Sequence, residues 1–309
     1  MATKVCVVGC GAIGSVFAAH LVHRGGLDVF VYDKWQEHVH AIRERGLRIS
    51  GAADMVAKVN ATTQPTDIPL CDVGIFATKS IHTAAAAEET AHLFQGPSVV
   101  ISVQNGLGNE EMIARYVGQV MRGVTSMAAN VIEPGHVELE SHGNLHIGPF
   151  EPTATPYPLV EQVGRMITAA GLPCVPLRDA AGAQWTKVIF NSAVNPVAGL
   201  TGLHHGALVR FGPTSELCEA LLLEGEAVAE AMGITLHGDP RDIVVKGASG
   251  PIRRRPSMLI DVLAGRQTEV DFVNGAIADR GEALNVPVPL NRALWRLLKG
   301  LEHSWTAPA

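Results

Sequence analysis

The apolar run Val5–Val8 passes without a break into Gly9-Cys10-Gly11-Ala12-Ile13-Gly14, and Ser15–Arg24 then carries helical periodicity. A G-x-G-x-x-G turn set between a strand and a helix narrows the choice of folds sharply, because each glycine answers a steric demand. The first permits the tight turn, the second lets main chain approach a phosphorylated ligand, and the third lets the helix lie close on the strand. The helix N-terminus supplies the positive end that phosphates favour. Gly25-Gly26 ends the helix and Asp28–Tyr32 reads as the second strand. Asp33 then falls at that strand's carboxyl end, about twenty residues past the loop, where a carboxylate accepts the hydroxyls of an adenosine ribose.

These features predict dinucleotide binding, with Gly9, Cys10, Gly11, Ala12, Ile13, Gly14, Asp33 and Lys34 as cofactor residues. A carboxylate at Asp33 grips the free 2′-hydroxyl of NAD and repels the 2′-phosphate of NADP, so within NAD(P)H the NAD(H) form is favoured. Lys34 weighs the other way if it swings toward a phosphate, and otherwise is a solvated turn lysine. Cys10 is either a small residue that fits the loop or a reactive thiol.

Up to about residue 178, β-rich runs alternate with amphipathic helices, the pattern of a sheet covered on both faces. Strands are expected at Val5–Val8, Val29–Tyr32, Val73–Phe76, Val99–Val103, Val124–Ala128 and Leu172–Leu177, with a hairpin of His136–Glu140 and Leu145–Ile147 around Gly143-Asn144. From Ala183 on, the segments 183–200, 213–232, 257–264, 271–284 and 290–303 are helical in period. The expected fold class is α/β: an N-terminal Rossmann-type doubly wound domain over 1–178 and an all-helical substrate and dimerisation domain over 179–309. A net charge of −6 argues against a nucleic-acid partner. Glycines 9, 11 and 14 break the apolar stretch Val5–Val22, which argues against a membrane span or leader. Five scattered cysteines suggest neither disulfides nor a metal site, and point to the cytoplasm.

The stretch Trp185–Pro196 is the most informative of the second half. At 100° per residue, Lys187, Asn191 and Asn195 fall on one helix face among apolar neighbours. Such a stripe is either a ligand site or a polar seam joining the helix to the first domain. Pro196 has no N–H for the carbonyl of Ser192, so the helix is expected to kink or end there.

The pattern Trp185-x-Lys187-x-x-x-Asn191-x-x-x-Asn195-Pro196 resembles the substrate helix of the ketopantoate reductase family (2-dehydropantoate 2-reductases). Further signatures follow across essentially the whole chain: Lys79, Gln104-Asn105-Gly106-Leu107-Gly108, Pro134-Gly135-His136-Val137, Ser257-Met258-Leu259, Thr268-Glu269-Val270-Asp271 and Asn274-Gly275. The resemblance implies that Lys187 is the general acid for ketone reduction and that Glu269 pairs with or orients it. It implies that Asn191, Asn195 and Ser257 bind substrate, and that Asn105 and Lys79 lie close to the nicotinamide and to the cofactor's ribose or phosphates. The substrate is then a small 2-oxo or 2-hydroxy acid, and the expected assembly is a homodimer.

Two positions depart from the family pattern. His205 stands where a further asparagine is common, either as a substrate contact or as a surface-loop histidine, and Asp33 stands where a basic or neutral residue is usual. They leave open an NAD-linked dehydrogenase of another 2-hydroxy acid. A non-catalytic dinucleotide sensor is the rival from another class, and it has no need of the proton-delivery set. Arg253-Arg254-Arg255 is either an anion-attracting cluster or a solvated loop.

Overall fold

A computed structural model describes residues 3–153, 155–248 and 255–306. The chain divides into two compact units: Met1–Gln104 with Asn109–Ala180, and Asn105–Gly108 with Ala181–Ala309.

The first unit begins β1 (Lys4–Val8), α1 (Ala12–His23), β2 (Asp28–Tyr32), α2 (Gln36–Arg45), β3 (Leu47–Gly51), β4 (Met55–Ala57), β5 (Asn60–Thr62) and β6 (Val73–Phe76). It continues α3 (Thr83–Thr90), β7 (Val99–Ser102), α4 (Asn109–Ile113), β8 (Val120–Thr125), β9 (Ala128–Glu133), β10 (His136–Ser141), β11 (Leu145–Pro149), α5 (Tyr157–Ala169) and β12 (Cys174–Pro176). Eight strands form one sheet in the order β12-β11-β8-β7-β6-β1-β2-β5. All its neighbours run parallel except β11 against β8. From β5 to β8 this is the doubly wound order, whose switch point lies between β1 and β6, where such sheets bind ligands at their carboxyl ends. The expected α/β class is therefore present.

A second sheet, β4-β3-β10-β9, covers the other side of α1. A helix enclosed on two sides must be apolar nearly all round, and Val16, Phe17, Ala18, Ala19 and Leu21 are fully buried among Leu47, Ile49, Val137 and Leu139.

The expected hairpin does not form. β10 pairs with β3 and β9, whereas β11 crosses to the main sheet between β8 and β12. Gly143 has φ +55°, and a Cβ there would meet the Ser126 carbonyl carbon at 2.5 Å. Ser126 N–H donates to Asn144 O at 2.9 Å, so this turn is fastened to the β8–β9 link and hands the chain from one sheet to the other. The hairpin turn is instead Pro134-Gly135, joining β9 to β10. The expected strand Val124–Ala128 splits, because β8 ends at Thr125 and β9 starts at Ala128.

The second unit is helical: α6 (Ala181–Thr201), α7 (His205–Arg210), α8 (Gly212–Ala231), α9 (Pro240–Ala248), α10 (Ser257–Leu263), α11 (Asn274–Ala283) and α12 (Pro289–Ser304). Its core gathers Trp185, Val188, Ile189, Val194 and Val197 of α6 with Leu221, Leu222, Leu259 and Ile277. No helix among the described residues is long and apolar enough to cross a membrane.

Candidate active site

In the first unit the three loop glycines meet three different surroundings. Gly9, at φ +91°, would set a Cβ 2.6 Å from Thr78 N, and Gly14 would set one 1.9 Å from Gly9 O. No side chain fits at either, because the obstacles are backbone. A Cβ on Gly11 would meet nothing within 4 Å. Gly11 thus leaves an open approach to the N-terminus of α1, the fit that a pyrophosphate requires.

Asp33 follows β2 directly and accepts from Cys10 N–H at 2.5 Å through Oδ2 and from Trp35 N–H at 2.8 Å through Oδ1. Each carboxylate oxygen retains a further lone pair for a ribose hydroxyl. Lys34 is turned to α3, where its Nζ meets Glu89 Oε1 at 2.5 Å. The Tyr32 hydroxyl donates to the other oxygen of Glu89 at 2.5 Å. Cys10 is fully buried, and burial pushes its thiol up to about 12 despite the Ser15 hydroxyl beside it. The reactive-thiol alternative for Cys10 therefore has no support, since the thiolate is the nucleophile.

A chain of three hydrogen bonds that no local pattern in the sequence announces holds this loop. Gly135 N–H donates to His38 Nδ1 at 3.0 Å, which leaves the proton on Nε2, 3.4 Å from Ser15 Oγ. Ser15 Oγ in turn donates to Cys10 O at 3.0 Å. Burial keeps the His38 ring below the usual histidine range, against the pull of Asp33, so the chain of bonds runs through a neutral imidazole. Across the switch point, Gln104 Nε2 donates to Thr78 Oγ1 at 2.9 Å and Thr83 Oγ1 at 2.6 Å. These bonds fix the turn after β6 that carries the partly exposed Lys79.

In the second unit, Asn105, Asn195, Ser257, Met258, Asp261, Glu269 and Val273 line one narrow cavity. Asn191 and Asn195 are buried on α6, and Glu269 is equally buried. Asn105 Nδ2 donates to Glu269 Oε2 at 3.3 Å. Lys187 is partly exposed as a residue, yet crowding around its ammonium brings the pKa down to about 8, with Glu269 pulling the other way.

Glu269 is set by its neighbours in sequence. Thr268 Oγ1 donates to Glu302 Oε1 of α12 at 2.7 Å, while Asp271 accepts from Trp295 Nε1 at 2.6 Å and from Lys299 Nζ at 2.9 Å. Both sides of Glu269 are thereby clamped to one helix. Asn105 is set by Gly106, at φ +85°, where a Cβ would lie 2.5 Å from Phe272 O, and by Leu107 N–H donating to that same carbonyl at 2.8 Å.

Ser257 is exposed as the first residue of α10. Asp261, one turn further, is a lining residue the sequence reading missed. It is buried and paired with Arg266 at 3.1 Å, and nothing in the sequence marks it off from an ordinary helix aspartate. His205 opens α7 and is buried, its ring centroid 5.6 Å from that of Phe190. It sits neither on a surface loop nor among the residues lining the cavity. Arg253 and Arg254 lie outside the described residues, and Arg255 is exposed. No group of three or more histidine, cysteine or acidic side chains suited to a metal occurs among the described residues.

Residues 5–152 match the family model described as Ketopantoate reductase PanE/ApbA, and 179–302 match Ketopantoate reductase PanE/ApbA C terminal. A 2-dehydropantoate 2-reductase of Archaeoglobus fulgidus is 33% identical over 97% of this chain and 98% of its own. One from Pyrococcus abyssi is 33% identical with the same coverage. Among solved structures, a PanE/ApbA family ketopantoate reductase from Ralstonia eutropha JMP134 superposes with TM-score 0.89 at 31% identity, covering 99% of this chain and 100% of that one. D-mandelate dehydrogenase with NADH and anilino(oxo)acetate shares the fold, with TM-score 0.89 at 24% identity over 99% of this chain and 100% of its own. The chain belongs to the ketopantoate reductase (PanE/ApbA) family of oxidoreductases, which are dinucleotide-binding reductases.

Proposed function

We propose that the protein reduces the ketone of 2-dehydropantoate, or of a closely related 2-oxo acid, to the 2-hydroxy acid. The observation that carries this reading is Lys187: an ammonium crowded by protein, poised at about 8 and restrained by Glu269, on the helix face that presents Asn191 and Asn195. A reduced nicotinamide, when bound, supplies the hydride to the carbonyl carbon. Lys187 donates the proton that the carbonyl oxygen needs as its negative charge develops, and is left neutral. Glu269 favours the charged lysine beforehand. Asn105, Asn191, Asn195 and Ser257 orient the substrate's hydroxyl and carboxylate, with His205 as a more distant influence on the substrate profile. Gly9, Cys10, Gly11, Ala12, Ile13, Gly14, Asp33 and Lys79 hold the dinucleotide.

NAD(H) is the favoured form. Asp33 supports it, and so does the engagement of Lys34 with Glu89, which turns that cation away. The same residue supports a second reading, an NAD-linked dehydrogenase for a different 2-hydroxy acid. A reducing cytoplasm suits five free cysteines, and a homodimer is proposed alongside.

The test is the purified protein with NADH or NADPH against 2-dehydropantoate and a panel of aliphatic and aryl 2-oxo acids, followed by loss of reduced-nicotinamide absorbance. Turnover of 2-dehydropantoate above the rest supports the first reading, and turnover of another acid alone supports the second. No turnover of any 2-oxo acid overturns both. Asp33→Ser is expected to move preference toward NADPH, and a wild type that already prefers NADPH overturns the inference from Asp33.

A further inference from the structure

Glu89, on α3, uses both its oxygens on the residues that flank Asp33. Oε1 meets Lys34 Nζ and Oε2 accepts from the Tyr32 hydroxyl, each at 2.5 Å. Tyr32 is buried and fixed at the end of β2, so it anchors the carboxylate, and the carboxylate anchors the exposed lysine. Lys34 is itself exposed and makes this pair at the surface, so the pair adds little to stability. What it decides is where a positive charge stands. A nicotinamide dinucleotide carrying a 2′-phosphate is accommodated by a basic side chain beside the end of the second strand, and Lys34 is the residue next to Asp33.

We propose that Glu89 is a cofactor-specificity residue: it withholds Lys34 from a 2′-phosphate and sets a second negative charge near the one on Asp33. This rests on the dinucleotide reading given above. The local sum of Asp33, Glu89 and Lys34 is one negative charge, against a phosphate monoester that carries nearly two. Removing Glu89 brings that sum to zero and frees the lysine. The adenosine hydroxyls that Asp33 accepts are unaffected.

Calorimetric titration of the free protein with 5′-AMP and with adenosine 2′,5′-bisphosphate separates the terms without turnover. In Glu89→Gln the bisphosphate is expected to bind about 3- to 10-fold tighter, as one surface charge removed in high dielectric allows, while 5′-AMP binds as before. The gain should shrink in high salt and vanish in Glu89→Gln/Lys34→Gln. Unchanged bisphosphate binding in Glu89→Gln, with 5′-AMP still bound, overturns the role of Glu89 alone. A gain that survives loss of Lys34 overturns the withheld lysine. Failure of the wild type to bind either nucleotide overturns the dinucleotide reading, and this inference with it.

Discussion

Asn274 donates its side-chain amide to the carbonyl of Ser192 at 2.9 Å, the carbonyl that Pro196, four residues on, has no N–H to serve. At this position α6 is expected to kink or end; it does not end, and the helix runs on to Thr201. Asn274 supplies from α11 the hydrogen bond the helix cannot make for itself. The same amide also donates to Asn291 Oδ1 at 2.9 Å, and Asn291 Nδ2 donates to Glu224 Oε2 at 2.9 Å, so the prop is fully buried and braced.

Asn274→Ala should therefore destabilise the protein by about 1–3 kcal/mol, the cost of leaving a buried carbonyl unpaired. Pro196→Ala restores the helical N–H, so the double variant should lose less than the sum of the two single effects. Urea unfolding measures all three. Strict additivity would mean that the Asn274 amide and the proline gap are independent.

The glycine loop gives a sharper contrast. Gly14→Ala places a methyl against Gly9 O, 1.9 Å away, and should abolish soluble folded protein. Gly11→Ala meets open space at φ −69°, so its melting temperature should be unchanged. In the proposed cofactor site its methyl stands where the pyrophosphate approaches, so nucleotide affinity should fall at least tenfold, about 1.4 kcal/mol. A Gly11→Ala protein that binds nucleotide normally would separate the loop from the cofactor.

How far the sequence carries the fold depends on whether the information is local. The strand, turn and helix around Gly9–Gly14 were legible because the glycine spacing and the flanking apolar runs are local in sequence, as is the clash of Gly14 with Gly9 O. So was the stripe of α6, which is a matter of period alone. The pairing of β10 with β3 was not, because Gly143-Asn144 has the same turn chemistry in a hairpin and in a passage between sheets. Only the contact with Ser126 decides between them. Strands β3 and β4 are too short to show a clear period, and they cover α1 on its second side, while β5 extends the main sheet beside β2. Nothing local in the sequence marks His38 as a brace for the glycine loop, because Gly135 N–H reaches its buried ring from 97 positions away. Asp261 reached the cavity in the same unannounced manner.

His205 is held at the start of α7 between Phe190 and α9, where a Cβ on Gly247 would fall 2.2 Å from its Cε1. Asn is smaller, so His205→Asn should lower the melting temperature modestly and loosen Phe190. The ratio of kcat/KM for 2-dehydropantoate over bulkier 2-oxo acids is expected to rise while nucleotide affinity holds. A lowered melting temperature with an unchanged ratio assigns His205 to packing alone.

The pH dependence of the reduction tests the Lys187–Glu269 unit most directly. Burial lowers the Lys187 pKa from 10.5 to about 8, and Glu269 opposes that fall. With Lys187 as the proposed proton donor, reduction uses the ammonium form, so kcat/KM should be level below pH 8 and decline above it as the lysine loses its proton. Glu269→Gln removes the opposing charge and leaves the crowding, so the decline should begin at lower pH. Lys187→Ala should lower kcat by about two to four decades with nucleotide binding intact. Adding Glu269→Ala to Lys187→Ala should then cost less than Glu269→Ala alone, because the carboxylate has no ammonium left to hold. A merely structural Glu269 would lower rates equally at every pH, so an alkaline limb that stays in place in Glu269→Gln sinks the pairing, and a Lys187→Ala enzyme of near-normal kcat sinks the proton donor.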